Sequence, residues 1–396
     1  MFDRRLLQYF DWGMLGLAAV IGCCGLLVLY SAVTAETPHP QKIIFYKQLV
    51  WFSGALIAMV ASFSINYKLL DRWGHAIYVG CIILLLWVLI FGKSAGGSRR
   101  WLILGPLSLQ PSELAKIAVM IALASYYSKD ANTRGFTLRE LLKPFVLTLI
   151  PFVLIVKQPD LGTAGLILLI AGSMTLFVKI ERRSLITLMV SFAGIIPLVW
   201  FFLKDYQKQR ILVFLNPDRD PLGAGYHIIQ SKIAIGSGMI SGKGFLMGTQ
   251  NALSFLPEEH TDFIFSVLAE EWGFIGSVIV VLLFLMLIFW GLNIAQGCRE
   301  PFGTILAVGV TAMFFWQVCI NIAMTMGLMP VVGVPLPFIS YGGSSVLTTA
   351  IGIGLLMNIS IRNRSTTMTD PTKPHSSAST ENIKSVCSSG RKDNAF

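Results

Sequence analysis

The chain has 396 residues, 54% of them hydrophobic and only 13% charged, with mean hydropathy +0.69 and a formal net charge of +10. A soluble domain of this length would be near 25% charged, and the apolar residues come in blocks close to the roughly 20 needed to cross a bilayer. Composition therefore excludes a soluble globular enzyme. The fold class expected is all-α, a polytopic integral membrane protein.

About ten transmembrane helices are predicted, at 12–34, 45–65, 73–92, 112–128, 141–157, 161–179, 184–203, 263–292, 302–328 and 344–361. Val33-x-Ala35 has the small-residue form of a signal cleavage site. The apolar run before it, 12–33, is too long for a signal h-region of about 7–15 residues, so the segment is expected to stay as a span. Between the fifth and sixth spans stands only Lys157-Gln158-Pro159-Asp160, where proline and charge favour a tight turn over one long helix. Residues 204–262 form one large extracytoplasmic loop, basic at Lys204, Lys208 and Arg210, then glycine-rich. Within it, Gly238-x-x-x-Gly242-Lys243 lacks the phosphate-loop spacing and has Gly244 where Ser or Thr belongs, so no nucleotide site is expected. Residues 226–235 look amphipathic and suit the outer membrane surface. Residues 1–364 make one transmembrane domain, and the Ser/Thr-rich stretch 365–396 a disordered cytoplasmic tail.

Lysine and arginine set the orientation. With both termini cytoplasmic, 18 basic residues lie inside and 12 outside, six of the 12 in the long loop, where the rule is weak. The net charge is therefore largely topology, and a nucleic-acid partner has no support. The short external loop with Lys93, Arg99 and Arg100 runs against the rule, which suggests a use for that charge. Lys116 is the one basic residue assigned to neither side, since it falls within a span rather than at its end. The six cysteines show no metal spacing or disulfide framework, and the five histidines form no zinc motif.

Chemistry gathers in four places. In Gln110-Pro111-Ser112-Glu113, Ser112 is a natural N-cap, and Glu113 and Lys116 share one helix face. Lys116 is either a snorkelling interfacial lysine or a cation facing an anionic substrate. Gln158-Pro159-Asp160-Leu161-Gly162-Thr163 puts a second acid at a helix start. Glu258, Glu259, Asp262, Glu270 and Glu271 place five of the 21 acids within fourteen residues. Asp262 is either a helix-end acid or a general base, and the residues alone leave both readings open. Glu270 and Glu271 lie about 12 Å into the span, a depth that calls for inward partners in an ion pair or a cavity. Fourth, 327–345 has three prolines and breaks its helix, tolerated at membrane depth only in protein or against a cavity. All four fall on the outer side, an arrangement suited to an amphiphile whose tail stays in the bilayer.

Across about 10–362 the chain resembles the SEDS family of RodA, FtsW and SpoVE. The motifs are Asp11-Trp12, Leu29-Tyr30-Ser31-Ala32, Gln110-Pro111-Ser112-Glu113, Gln158-Pro159-Asp160-Leu161-Gly162-Thr163, Phe255-Leu256-Pro257-Glu258-x-His260-Thr261-Asp262-Phe263-Ile264-Phe265 and Pro337-Phe338-Ile339-Ser340-Tyr341-Gly342-Gly343-Ser344-Ser345. Trp272-Gly273 and Val331-Val332-Gly333-Val334-Pro335 have the form of the RodA branch, while Glu259 departs from its usual Gln. The resemblance implies a peptidoglycan glycosyltransferase that polymerises lipid II, undecaprenyl-pyrophosphate-linked disaccharide peptide, at the outer face of the inner membrane. Its implied setting is cell elongation and rod-shape maintenance. The implied partners are a class B penicillin-binding protein transpeptidase and other elongation-complex membrane proteins. It implies Asp262 as the catalytic residue and Glu113, Lys116 and Asp160 as supporting ones. The pyrophosphate leaving group calls for positive charge from Lys116, Arg99, Arg100, Arg210 or a divalent cation, Mg or Mn. No organic cofactor is expected. A lipid II flippase and a non-catalytic scaffold for a transpeptidase are the competing readings.

Overall fold

The computed structural model describes residues 10–34, 42–95, 98–104, 107–129, 135–202, 205–216, 220, 224–249 and 260–368. Its helices are α1 (Trp12–Thr34), α2 (Lys42–Ser64), α3 (Tyr67–Phe91), α4 (Pro111–Lys129), α5 (Leu138–Lys157), α6 (Leu161–Phe177) and α7 (Arg182–Phe202). After them come α8 (Asp205–Leu215), α9 (Ala224–Ser237), α10 (Ile264–Gly297), α11 (Pro301–Thr325) and α12 (Gly343–Met368). Among the described residues six helices, α1, α2, α3, α10, α11 and α12, are long and apolar enough to cross a membrane by length and composition. Of the predicted tail, 365–396, the first four residues continue α12, because its helix runs to Met368, and 369–396 lie outside the described residues.

The core is built on α4 and α11. Helix α4 packs against α3, α6 and α11, and α11 also packs along α6 and α10. Helix α12 lies along α2. The outward faces carry large apolar side chains such as Ile57, Ile83 and Phe289, as a lipid-facing surface requires.

Two prolines sit inside α5, Pro144 and Pro151. Each removes the hydrogen bond to the carbonyl four residues earlier. Those carbonyls belong to Glu140 and Leu147, and each is satisfied by a tyrosine from a neighbouring helix. Tyr126 Oη donates to Glu140 O at 2.8 Å and Tyr78 Oη to Leu147 O at 2.9 Å. Away from water a lost backbone bond must be replaced, so the prolines fix how α3 and α4 meet α5.

Two features differ from the sequence expectations. The short external loop folds into a three-stranded antiparallel sheet of β1 (Lys93–Ala95), β2 (Ser98–Leu104) and β3 (Leu107–Leu109). Strands this short, linked by Gly-Gly and Gly-Pro, show little periodicity beside long apolar runs. Residues 226–235, expected at the membrane surface, instead pack within α9 against α10 and α11. Ser231 Oγ lies 2.6 Å from Ser266 Oγ and donates to Thr325 O at 2.6 Å.

Helix α10 breaks at Gly273 (φ 65°, ψ −161°), a backbone conformation costly for any residue with a Cβ. The glycine-rich segment 238–248 fills the break. Lys243 N and Gly244 N donate to the Glu270 and Glu271 carbonyls, both at 3.0 Å. Phe274 N and Ile275 N donate to Met239 O (2.9 Å) and Ile240 O (3.2 Å). The loop thus replaces the helical bonds that the break removes.

Candidate active site

Contacts from five separate links converge at one end of the bundle. Asp160, at the N-cap of α6, accepts from Thr163 N at 3.3 Å through Oδ1. Its Oδ2 accepts from Gln110 Nε2 (2.7 Å) and Ser112 Oγ (3.0 Å). Arg100 on β2 lies 4.0 Å from the Asp160 carboxylate and donates to the carbonyls of Gln158 (3.0 Å) and Pro159. Gln110 N in turn donates to Ser344 Oγ at the start of α12, at 2.8 Å. Ser112 therefore serves Asp160, a partner from the next hairpin, and the two proline-containing motifs form one network. Arg99 also lies on β2, but its side chain is outside the described part of the structure.

Glu113 and Lys116 pair as their spacing predicts. Lys116 Nζ stands 2.9 Å and 2.8 Å from the two Glu113 oxygens. The lysine side chain has no exposure and that of the glutamate 5%. This removes the snorkelling reading, because the ammonium is turned onto Glu113 inside the bundle. It is not at an open rim either.

Asp262 lies in the turn 260–263 before α10, whose N-cap is Phe263. Asn321 of α11 donates to the backbone carbonyls of Asp262 (3.1 Å) and Val334 (2.8 Å), fastening the turn to the broken segment between α11 and α12. Gly333 (φ 74°) faces the acid, and a Cβ there would stand 3.4 Å from Asp262 Oδ2. Tyr341 N donates to His260 O at 2.8 Å. Gln48 of α2 donates to Ser340 O and accepts from Gly342 N, both at 3.3 Å. Val332 lies against Gly162 at the start of α6, and Arg210 of α8 donates to Val331 O at 3.2 Å. The segment 331–342 thus touches the Asp262 turn, the start of α6 just after Asp160, and Arg210. Gln48 and Asn321 were missed by sequence reasoning. Their only signal was an amide within an apolar run.

Glu270 and Glu271 are buried, as their depth demands, and both are engaged. Glu270 Oε1 accepts from Lys243 Nζ at 2.6 Å and Thr249 Oγ1 at 3.0 Å. Ser31 Oγ of α1 donates to Glu271 Oε1. The motif acid Asp11 is structural as well, its Oδ2 accepting from Trp290 Nε1 at 3.0 Å. Of Glu113, Asp160, Asp262, Glu270 and Glu271, only Asp262 is partly exposed. Glu258 and Glu259 lie outside the described residues. Among the described residues no group of three His, Cys, Asp or Glu side chains forms a metal-holding cluster.

Residues 11–365 match the family model FtsW/RodA/SpoVE, described as cell cycle protein. The chain is 44% identical over 336 residues to peptidoglycan glycosyltransferase MrdB of Escherichia coli K12, spanning 84% of this chain and 90% of the relative. It is 34% identical to peptidoglycan glycosyltransferase RodA of Treponema pallidum, spanning 89% and 98%. In three dimensions it is similar to a chain of a peptidoglycan synthase complex, solved under the heading "Structural coordination of polymerization and crosslinking by a peptidoglycan synthase complex". The TM-score is 0.75 at 31% identity, over 89% of this chain and 98% of that one. It is also similar to the rod shape determining protein RodA of Thermus thermophilus, with TM-score 0.65 at 27% identity, over 89% and 96%.

Proposed function

Because this chain belongs to the FtsW/RodA/SpoVE family, we propose that it polymerises lipid II into glycan strands, with Asp262 as the general base. It is a multi-pass inner-membrane peptidoglycan glycosyltransferase. The biological setting proposed is cell elongation and maintenance of rod shape. The observation that carries the assignment of the base is exposure. Asp262 is partly exposed at the bundle end, whereas Asp160 and Glu113 are buried.

In the proposed step the acceptor sugar hydroxyl gives its proton to the Asp262 carboxylate as its oxygen attacks the donor's anomeric carbon. A hydroxyl is too weak an acid to ionise unaided near neutral pH, so a positioned base lowers the barrier. The new C–O bond forms while the bond to pyrophosphate breaks, and polyprenyl pyrophosphate leaves with the electron pair. Donor linkage α and product linkage β require a single inversion and no covalent intermediate. Arg100 and Arg210, with Arg99 on the same strand as Arg100, are proposed to offset the leaving group's charge. Lys116 and Glu113 lie too deep to touch it here, and are proposed to hold α4 and Ser112 in place under Asp160. A divalent cation, Mg or Mn, is proposed to arrive with the pyrophosphate.

The test uses purified protein in liposomes with labelled lipid II, scored separately for glycan polymer and for transbilayer movement. Polymer formation supports the reading; movement without polymer would establish a flippase instead, and neither activity would leave a scaffold.

Both termini are proposed to be cytoplasmic and the Asp262 end outside, on the charge asymmetry of the loops. In a cysteine-free background, Gln209→Cys on exposed α8 should react with an impermeant maleimide from outside, and Ser376→Cys in the tail only after membrane disruption. The opposite pattern would invert the map.

The proposed partner is a single-span class B penicillin-binding protein. Adding it should raise polymerisation several-fold, on the order of the coupling energies of 1–3 kcal/mol usual between linked sites. Equal rates with and without it would remove this part of the proposal.

A further inference from the structure

An apolar cavity of about 460 Å³ opens between α9, α10 and α11, lined among others by Ile235, Met239, Phe265, Val278, Leu282 and Met326. Its volume lies within the usual range for ligand sites. Two observations connect it to the Asp262 turn. Phe265 is one helical turn from Asp262, and Ile322, also in the lining, follows the Asn321 that holds the Asp262 carbonyl. Its lining follows α10 from Phe265 past the break at Gly273 to Leu282. An apolar groove that starts beside the Asp262 turn and runs down a bilayer-length helix suits the hydrocarbon chain of a membrane-anchored substrate.

Two cations stand near the lining residues. Lys232 on α9 lies one turn before Ile235 and is exposed, its Nζ 2.8 Å from where a Cβ on Gly327 would stand, just beyond Met326. Arg210 donates to Val331 O in the same segment. Neither forms an ion pair with a carboxylate among the described residues. Next to Lys232, Ser231 joins α9 to α10 at Ser266 and to α11 at Thr325, so the three walls meet beside this lysine.

We propose that this groove holds the polyprenyl chain of the glycosyl donor, with Lys232 and Arg210 receiving its pyrophosphate. The proposal rests on the glycosyl-transfer reading of the Asp262 site. The donor is chosen over the acceptor because its pyrophosphate is bonded directly to the reacting carbon, which must come within reach of Asp262. An acceptor's pyrophosphate lies a whole disaccharide away. Lys232 is thereby a substrate-binding residue that sequence reasoning passed over as one of several loop cations.

The test is photolabelling of the full chain in liposomes with lipid II that carries a diazirine in its polyprenyl chain. Blocking its acceptor hydroxyl lets the probe occupy only the donor place. Label is expected on 264–282 and 224–240, competed by excess unlabelled donor lipid. Lys232→Gln should lower it about tenfold, the order for losing a hydrogen bond to a charged group, while Lys232→Arg retains it. Val278→Trp, on the lipid-facing wall, should displace the label with melting unchanged, and Leu282→Trp is the second filling variant. Label spread equally over α2 and α3, or not competed, would mean bulk lipid contact only and overturn the proposal. So would labelling only by an unblocked acceptor probe. Asp262→Asn should label like wild type. An active Asp262→Asn protein with a labelled groove would thus remove the base and keep the groove, and a silent one with no groove label would do the reverse.

Discussion

Asp262→Asn is expected to abolish glycan polymerisation while expression, melting and partner binding stay near wild type. A positioned general base contributes about 10²–10⁴-fold to rate. A helix-end acid contributes about 0.3–1 kcal/mol to stability. The two roles are therefore separable by magnitude. The structure sharpens the test, since Phe263 is the N-cap of α10 and the Asp262 turn is held through its backbone carbonyl by Asn321. Asn keeps that backbone bond, the side-chain shape and the fit against Gly333, and removes the carboxylate that would accept the proton. A polymerisation rate within about threefold of wild type, measured on lipid II in liposomes, would be far below the contribution of a base and would end the assignment.

Lys116→Met is expected to lose most activity and to lower stability, and the double variant Glu113→Gln/Lys116→Met separates the two effects. Removing one partner of a buried ion pair leaves the other charge uncompensated and costs about 3–5 kcal/mol. Replacing both partners leaves no stranded charge and is often nearly neutral. The double variant should therefore recover the wild-type melting temperature. If the pair serves the reaction, through the position of Ser112 and Asp160 or through its own field, polymerisation stays low in the double variant. Recovery of activity together with stability would assign the pair to the fold alone. Lys116→Arg is not a conservative control here, because the planar guanidinium does not fit a pocket shaped around one ammonium at 2.8–2.9 Å from both oxygens.

How much of the site was legible depended on the range of each interaction. The Glu113–Lys116 pair was readable because three residues on a helix fix the approach of two side chains. Burial of Glu270 and Glu271 was readable too, since two acids about 12 Å inside an apolar run must turn inward. Their partners were not. Lys243 lies 27 residues from Glu270 and Ser31 lies 240 from Glu271, and no local pattern encodes such separations. The same limit hid the tyrosines that satisfy the carbonyls freed by Pro144 and Pro151.

By itself the sequence determined the class of molecule, the approximate extent of its apolar segments, the gathering of its motifs toward one side, and the family. Apolar length, basic asymmetry and helical spacing are local or additive properties, so a linear reading suffices for them. Only the tertiary structure decided which acid remains accessible. Asp160 and Glu113 become buried because β2, α12 and the bundle core close around them, while Asp262 stays at the surface of a turn pinned by Asn321. It also decided that the glycine-rich loop fills a break in α10 and that an apolar groove opens beside it. Those outcomes depend on segments far apart in the chain satisfying one another's backbone groups where water is scarce, and that pairing is settled by the packing of the whole bundle.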